Sequence, residues 1–367
     1  MRSKADLFTF SPAPADLARF RVDRVPAPQR ISYAEHPAYA EFARKPPMGV
    51  RAAATARFLG SLLPLAGKRL INYELIPNEV RMRRDIKGRL RLVAAGLRNI
   101  SVRPRRRGNA TLPAARTLST DGCVVAAASP AALAPVEAAA AGAFAKLQEA
   151  RAARAGGKRH FEESRFHADR REEAALFATV EAFLKDAGIM AAASEYLGRQ
   201  ASLVDVNPQI NDPSDSFWRD IFPDISSKRL PKAAYFHRDA SGGDLKAIIY
   251  MSDVDASNGP FGYVLGSHRL RLSRLDDFIC EANDHNGLAH TDAKSRRHFA
   301  ALPTRFRQKG AFGNDLPDEH PASDEIVKAA WSITGPRGSI VLFDTKGIHR
   351  GGMVERGERR VITCVLG

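Results

Sequence analysis

The stretch FHRDASGGDLKAIIYMSDVDASNGPFGYVLGSHR, residues 236–269, decides how the chain reads. It opens with His237 and Asp239, two positions apart. Residues two apart on extended backbone point to the same face, so both side chains can address one ion. Behind them come two runs rich in β-branched and aromatic residues, 245–254 and 261–266, separated by the turn Asn258-Gly259-Pro260. Such runs, bounded by turn residues, read as strands.

Outward from this segment the same pattern recurs. Short strand-like runs occupy 202–210, 232–237, 338–344 and 359–366, and together they favour an antiparallel barrel or sandwich. His349 follows the run GSIVLFDTKGI (338–348), and Arg359-Arg360 open the last strand about ten residues later. Two histidines and one carboxylate on one side of a metal leave three coordination positions open, the signature of non-haem Fe(II) oxygenases. An arginine at that offset suits a cosubstrate carboxylate, which it can clamp through a bidentate charge-assisted pair. Upstream, Asn207, Gln209 and Asn211 alternate on one strand face, either near a cosubstrate or as exposed amides on an edge. His268 reads as structural, His285 and His290 as solvated, and Cys364 as a small buried hydrophobe.

The segment's wording carries a resemblance. Asp253-Val254-Asp255, the turn Asn258-Gly259-Pro260 and the closing Leu265-Gly266-Ser267-His268 follow the HxD as they do in the phytanoyl-CoA dioxygenase (PhyH)-like family of Fe(II)/2-oxoglutarate-dependent oxygenases, which this segment resembles. Leu265 stands where that family usually has proline. LSTDGCVVAA (118–127) is similar to the family's opening strand, so the resemblance covers roughly residues 115–367. It implies an α+β fold with a mainly β core, a double-stranded β-helix (a jelly-roll, cupin-like barrel) flanked by helices. It also implies Fe(II) held by His237, Asp239 and His349, with 2-oxoglutarate and O2 as cosubstrates. Arg359 is the preferred partner of 2-oxoglutarate and Arg360 the alternative. The implied reaction is hydroxylation of a small-molecule substrate with formation of succinate and CO2. Asp239 stands where halogenating relatives carry a small residue, which argues against that variant.

Helices precede the strands. Gly49–Gly67 has apolar residues at helical spacing, and LSTDGCVVAA reads as a polar turn opening a strand. Ser129 and Pro130 suit the N-cap and first position of an alanine-rich helix to about residue 153. Further helices are expected over 169–185 and around 191–197. The polar stretch 270–331 reads as an insertion between strands.

Charge divides the chain at almost the same place. The net charge is +15, yet residues 1–120 hold 24 Lys+Arg against 8 Asp+Glu, and the remainder is close to neutral. Residues 1–114 therefore form a basic N-terminal extension, partly helical, ahead of an oxygenase domain at 115–367. The extension is either a solvated layer shaping the substrate mouth or a means of attracting an anion, whether an anionic substrate, nucleic acid or an anionic membrane surface. Tyr73 is the only aromatic residue between Phe58 and Arg107, so a base-stacking platform is not supported. A binding protein built on that segment, with a non-catalytic barrel, is the competing class. Three scattered cysteines exclude a disulfide scaffold or zinc ribbon, and no secretory signal is evident, which together suggest a cytoplasmic protein.

Overall fold

The computed structural model describes residues 7–20, 46–70, 110–153, 164–213, 236–239, 245–269, 301–303 and 321–367, with four isolated positions between 87 and 94. Within them lies a mixed α/β architecture whose core is antiparallel sheet. Nine strands are described: β1 (Phe8–Ser11), β2 (Cys123–Ala128), β3 (Leu203–Asn211), β4 (Leu245–Tyr250), β5 (Phe261–Val264), β6 (Ala330–Ile333), β7 (Ser339–Asp344), β8 (His349–Arg350) and β9 (Arg359–Leu366). Six form one sheet in the order β1-β2-β7-β4-β9-β3, and three form a second, β6-β5-β8. From β4 onward the chain passes back and forth between the two sheets.

Strand alternation sorts the core into layers. On β9, Ile362, Cys364 and Leu366 join Ala247 and Ile249 of β4 and Ile340 and Leu342 of β7 on one face of the large sheet. Helices α2 (Pro113–Asp121), α3 (Pro130–Ala152), α4 (Ala174–Asp186) and α5 (Ile189–Leu197) cover that face. The opposite parity, Val361, Ile248, Tyr250, Val341 and Phe343, meets Phe261 and Tyr263 of β5 between the sheets. The outer face of the small sheet buries Phe236, Val264 and Ile348 under Phe20 and under Ile326 and Ala329 of α6 (Pro321–Ala329). Each buried aliphatic or aromatic side chain contributes about 1.5–3 kcal/mol relative to exposure.

Local chemistry explains most element ends. Ser129 caps α3, its hydroxyl accepting from the Ala132 amide at 3.3 Å, with Pro130 where a missing N–H costs nothing. The expected helix at 49–67 is present as α1 (Met48–Leu70), with Ala54 and Phe58 buried.

Elsewhere the structure departs from expectation. The polar turn expected at 118–122 is instead the end of α2, with Gly122 as its left-handed cap at φ +81°. What orders that helix is distant in sequence: the Glu195 carboxylate on α5 accepts from the Thr111 and Leu112 amides and the Thr111 hydroxyl. The helix expected from residue 169 starts at Ala174, because the Asp169 carboxylate turns back onto the Arg171 and Glu172 amides. The stretch 270–331 is described only at 301–303 and from 321 onward. There α6 runs directly into β6, which pairs with β5, so the end of that stretch belongs to the small sheet. At the other end of the chain, Phe8–Ser11 pairs with Val125–Ala128 and becomes an edge of the large sheet. Among the described residues no helix is long and apolar enough to cross a membrane.

Gly122 is constrained twice, by its positive φ and by its neighbours, since a Cβ there would collide with the His268 ring and the Tyr263 hydroxyl. Gly122→Ala should therefore destabilise the fold by about 3 kcal/mol, combining left-handed strain with overpacking. Urea denaturation followed by far-UV circular dichroism measures this.

Candidate metal centre

Two backbone hydrogen bonds assemble the site. The His237 amide donates to the His349 carbonyl at 2.9 Å, and the His349 amide returns to the His237 carbonyl at 2.8 Å. One residue pair thus exchanges both bonds, the close arrangement of an antiparallel ladder. Two residues on, the Asp239 amide donates to the Thr345 carbonyl at 3.0 Å. The HxD segment is therefore zipped along the β7–β8 connection, and strand alternation turns His237 and Asp239 to the side where His349 stands.

The three side chains converge. His237 Nε2 lies 3.6 Å from Asp239 Oδ1, His349 Nε2 lies 3.7 Å from the same oxygen, and one ligand atom from each residue falls within 4.8 Å of the others. Donors each about 2.1 Å from a shared ion stand about 3.0–3.6 Å apart, so the triad would draw inward to close on a metal. The imidazole rings are tilted at 47° with centroids 4.5 Å apart, and Phe343 and Phe261 wall His349 on the inter-sheet side.

Electrostatics prepare these donors for a cation. The Gly347 carbonyl lies 2.8 Å from His349 Nδ1, which fixes the proton there and leaves the Nε2 lone pair facing Asp239. Burial, reinforced by neighbouring His237, lowers the His349 pKa to about 3, so the ring is neutral at physiological pH. Burial alone would push Asp239 up, but Lys246, His349 and His237 together hold its carboxyl well below the usual range. A neutral imidazole and an ionised carboxylate are the forms a metal requires.

The turn carrying His349 is anchored on both sides. The Asp344 carboxylate accepts from the Tyr196 hydroxyl of α5 and from the Lys346 amide, while the Asp344 carbonyl accepts from the Tyr263 hydroxyl at 3.0 Å. A Cβ at Gly347 would collide with Tyr263, so only glycine lets the turn pass so close.

The two candidate arginines have different surroundings. Arg360 lies against the Glu358 carboxylate. Arg359 is half-buried on the inward parity of β9, donates to the Asn211 side-chain oxygen at 3.1 Å, and keeps its buried Nε without a hydrogen-bond partner among the described residues. Burial lowers its pKa from the usual arginine value. Tyr250 is close enough to act on it electrostatically, but burial pushes that phenol up to about 12, so it is neutral and no counter-ion. A half-buried guanidinium with a buried, unmatched Nε and no acid partner among the described residues is what an incoming carboxylate would satisfy.

Other singled-out residues take supporting places. β3 is an edge of the large sheet, yet its amides are engaged: Gln209 donates to Thr363, Asn211 to Ser164, and Asn207 lies 3.0 Å from the His167 ring. His268 is buried 3.2 Å from the Ser119 carbonyl, the structural place expected of it. Asp255 and Asn258 bond each other's backbone and shape the turn before β5. Cys364 is buried. His285 and His290 fall outside the described residues. Lys246 went unnoticed in the sequence, although its place on β4 carried a signal. It shares inward parity with Ile248 and Tyr250, where a charge needs a partner, and its Nζ lies 2.6 Å from Asp239 Oδ2.

No family model matches the chain, and no curated protein matches it in sequence. Among solved structures it is similar to EctD from S. alaskensis, crystallised with 2-oxoglutarate and 5-hydroxyectoine (15% identity over 72% of this chain and 81% of that one, TM-score 0.41). It is similar also to SnoK, a non-heme alpha ketoglutarate dependent carbocyclase from nogalamycin biosynthesis (15%, 72% and 86%, TM-score 0.40). A third is HygX from Streptomyces hygroscopicus, with nickel and 2-oxoglutarate bound (14%, 68% and 84%, TM-score 0.38). Likeness at this level is silent about individual residues.

Two outcomes follow from the triad itself. The chain should bind one equivalent of Co(II) with a visible ligand-field spectrum, and His349→Ala should weaken that binding at least about a hundredfold, read by titration. In the metal-free protein the unfolded state takes up a His349 proton near pH 6.5, whereas the folded state does so only near pH 3. Stability should thus fall as pH drops through that window, by up to about 1.4 kcal/mol per pH unit, and His349→Gln should flatten the slope in urea titrations at several pH values.

Proposed function

We propose that the chain is an Fe(II)/2-oxoglutarate-dependent oxygenase on a double-stranded β-helix, hydroxylating a small-molecule substrate. One observation carries the reading: the two-histidine, one-carboxylate cluster of His237, Asp239 and His349. After the HxD the chain crosses repeatedly between two facing sheets, which suits a double-stranded β-helix. The Asp253 to His268 wording adds the resemblance to the phytanoyl-CoA dioxygenase family.

The donor set fits ferrous iron. Nitrogen and carboxylate donors on one side of an ion, with the other side open, suit a metal that must also take a cosubstrate and dioxygen. His237, Asp239 and His349 would hold the metal, and Arg359, with Asn211 keeping its guanidinium in place, would hold the far carboxylate of 2-oxoglutarate. When bound, iron and 2-oxoglutarate supply the oxidising chemistry, with succinate and CO2 as co-products. The chain's own work is to orient and to exclude water. Phe261, Tyr263 and Phe343 pack dry walls beside His349, and the Gly347 carbonyl keeps its Nδ1 protonated.

Anaerobic addition of Fe(II) and 2-oxoglutarate should produce a weak visible charge-transfer band, absent in His237→Ala. A wild-type protein that takes up Fe(II) and gives no band would overturn the reading. Arg359→Met should leave metal binding within about twofold and weaken 2-oxoglutarate at least about tenfold, the scale of a lost charge-assisted pair. Arg360→Met should change neither by more than about twofold, as expected of a half-exposed ion pair.

A further inference from the structure

Lys246 is a charge on the inward face of a central strand. β4 lies between β7 and β9, with Lys246 opposite Phe343 on one side and Val365 on the other. Its inward neighbours on the strand, Ile248 and Tyr250, are buried in the inter-sheet core. Among the described residues the lysine reaches Asp239 Oδ2, at 2.6 Å. The two oxygens of Asp239 are thus divided, Oδ2 to the ammonium and Oδ1 to the pair of histidines at 3.6 and 3.7 Å.

We propose that Lys246 is a positioning residue of the metal centre: by holding Oδ2 of Asp239 it keeps that carboxylate a one-oxygen ligand and so preserves the coordination positions left for anionic ligands. The inference rests on the metal reading above. A carboxylate swings between one- and two-oxygen binding by a small rotation, and an ammonium 2.6 Å from one oxygen opposes the second mode. The same ammonium adds a positive charge beside the ion. That disfavours a bare divalent metal and favours an anion binding next to it, so metal and anion assist one another reciprocally.

The test uses the whole chain with Co(II) as the probe ion and 2-oxoglutarate as the anion. In Lys246→Met the freed Oδ2 joins the ion and the cation is gone. Co(II) alone should then bind about tenfold tighter, the effect of removing a unit charge about 5 Å from a divalent ion at water-like screening. The ligand-field spectrum should shift with the altered coordination, and 2-oxoglutarate should bind the Co(II)-loaded variant about tenfold more weakly. Lys246→Arg, which keeps a cation on Oδ2, should restore wild-type values in all three readouts. Thermal melting establishes that each variant folds; should Lys246→Met fail, Lys246→Gln carries the same expectations. Unchanged or weaker Co(II) affinity in the neutral variant, with an unshifted spectrum, overturns the role of Lys246 and leaves the oxygenase reading standing. A folded wild-type protein that takes up no Co(II) overturns both.

Discussion

The centre depends on a reciprocal pair of backbone hydrogen bonds between His237 and His349, 112 positions apart in sequence. The exchange of amide and carbonyl fixes the register, and register on extended backbone determines which side chains face which way. A slip of one position would turn His237 and Asp239 out toward Phe20 and α6 and bring Phe236 and Arg238 inward. The donor set is therefore a property of strand pairing before it is a property of side chains.

Parity organises the rest of the molecule in the same manner. In the large sheet one parity is covered by four helices and the other by the small sheet, so β4, β7 and β9 are apolar nearly throughout. The polar residues on the inward face include Lys246, Ser339, Thr363, Arg359 and the amides of β3, and each has a partner. Buried polar groups cost several kcal/mol when unmatched, so they gather where they satisfy one another or await a ligand. The Nε of Arg359 is buried on this face without a hydrogen-bond partner among the described residues.

How much of this the sequence disclosed follows from the range of the interactions involved. β3, β7 and β9 were readable because each is a run of β-branched residues ended by its own turn chemistry, and α3 because Ser129 and Pro130 cap it locally. The HxD, the second histidine and the arginine were legible as spacing. Helix α2 was not, since Glu195 caps it from α5, and β1 and β6 were not, since each takes its form from a partner far along the chain. Lys246 could be seen as a charge within an apolar run, but its partner is a carboxylate on a different segment.

Strand β1 also bears on where the chain can be divided. Its four residues lie more than a hundred positions before those they pair with, across the boundary that charge draws near residue 120. A recombinant fragment started at that boundary would keep His237, Asp239 and His349. It would also lay bare the free side of β2, whose amides and carbonyls at 125–128 would then be open to a strand from another molecule. The short N-terminal strand thus serves as an edge guard, and Phe8–Ser11 are sewn into the same sheet as the strands that follow the boundary.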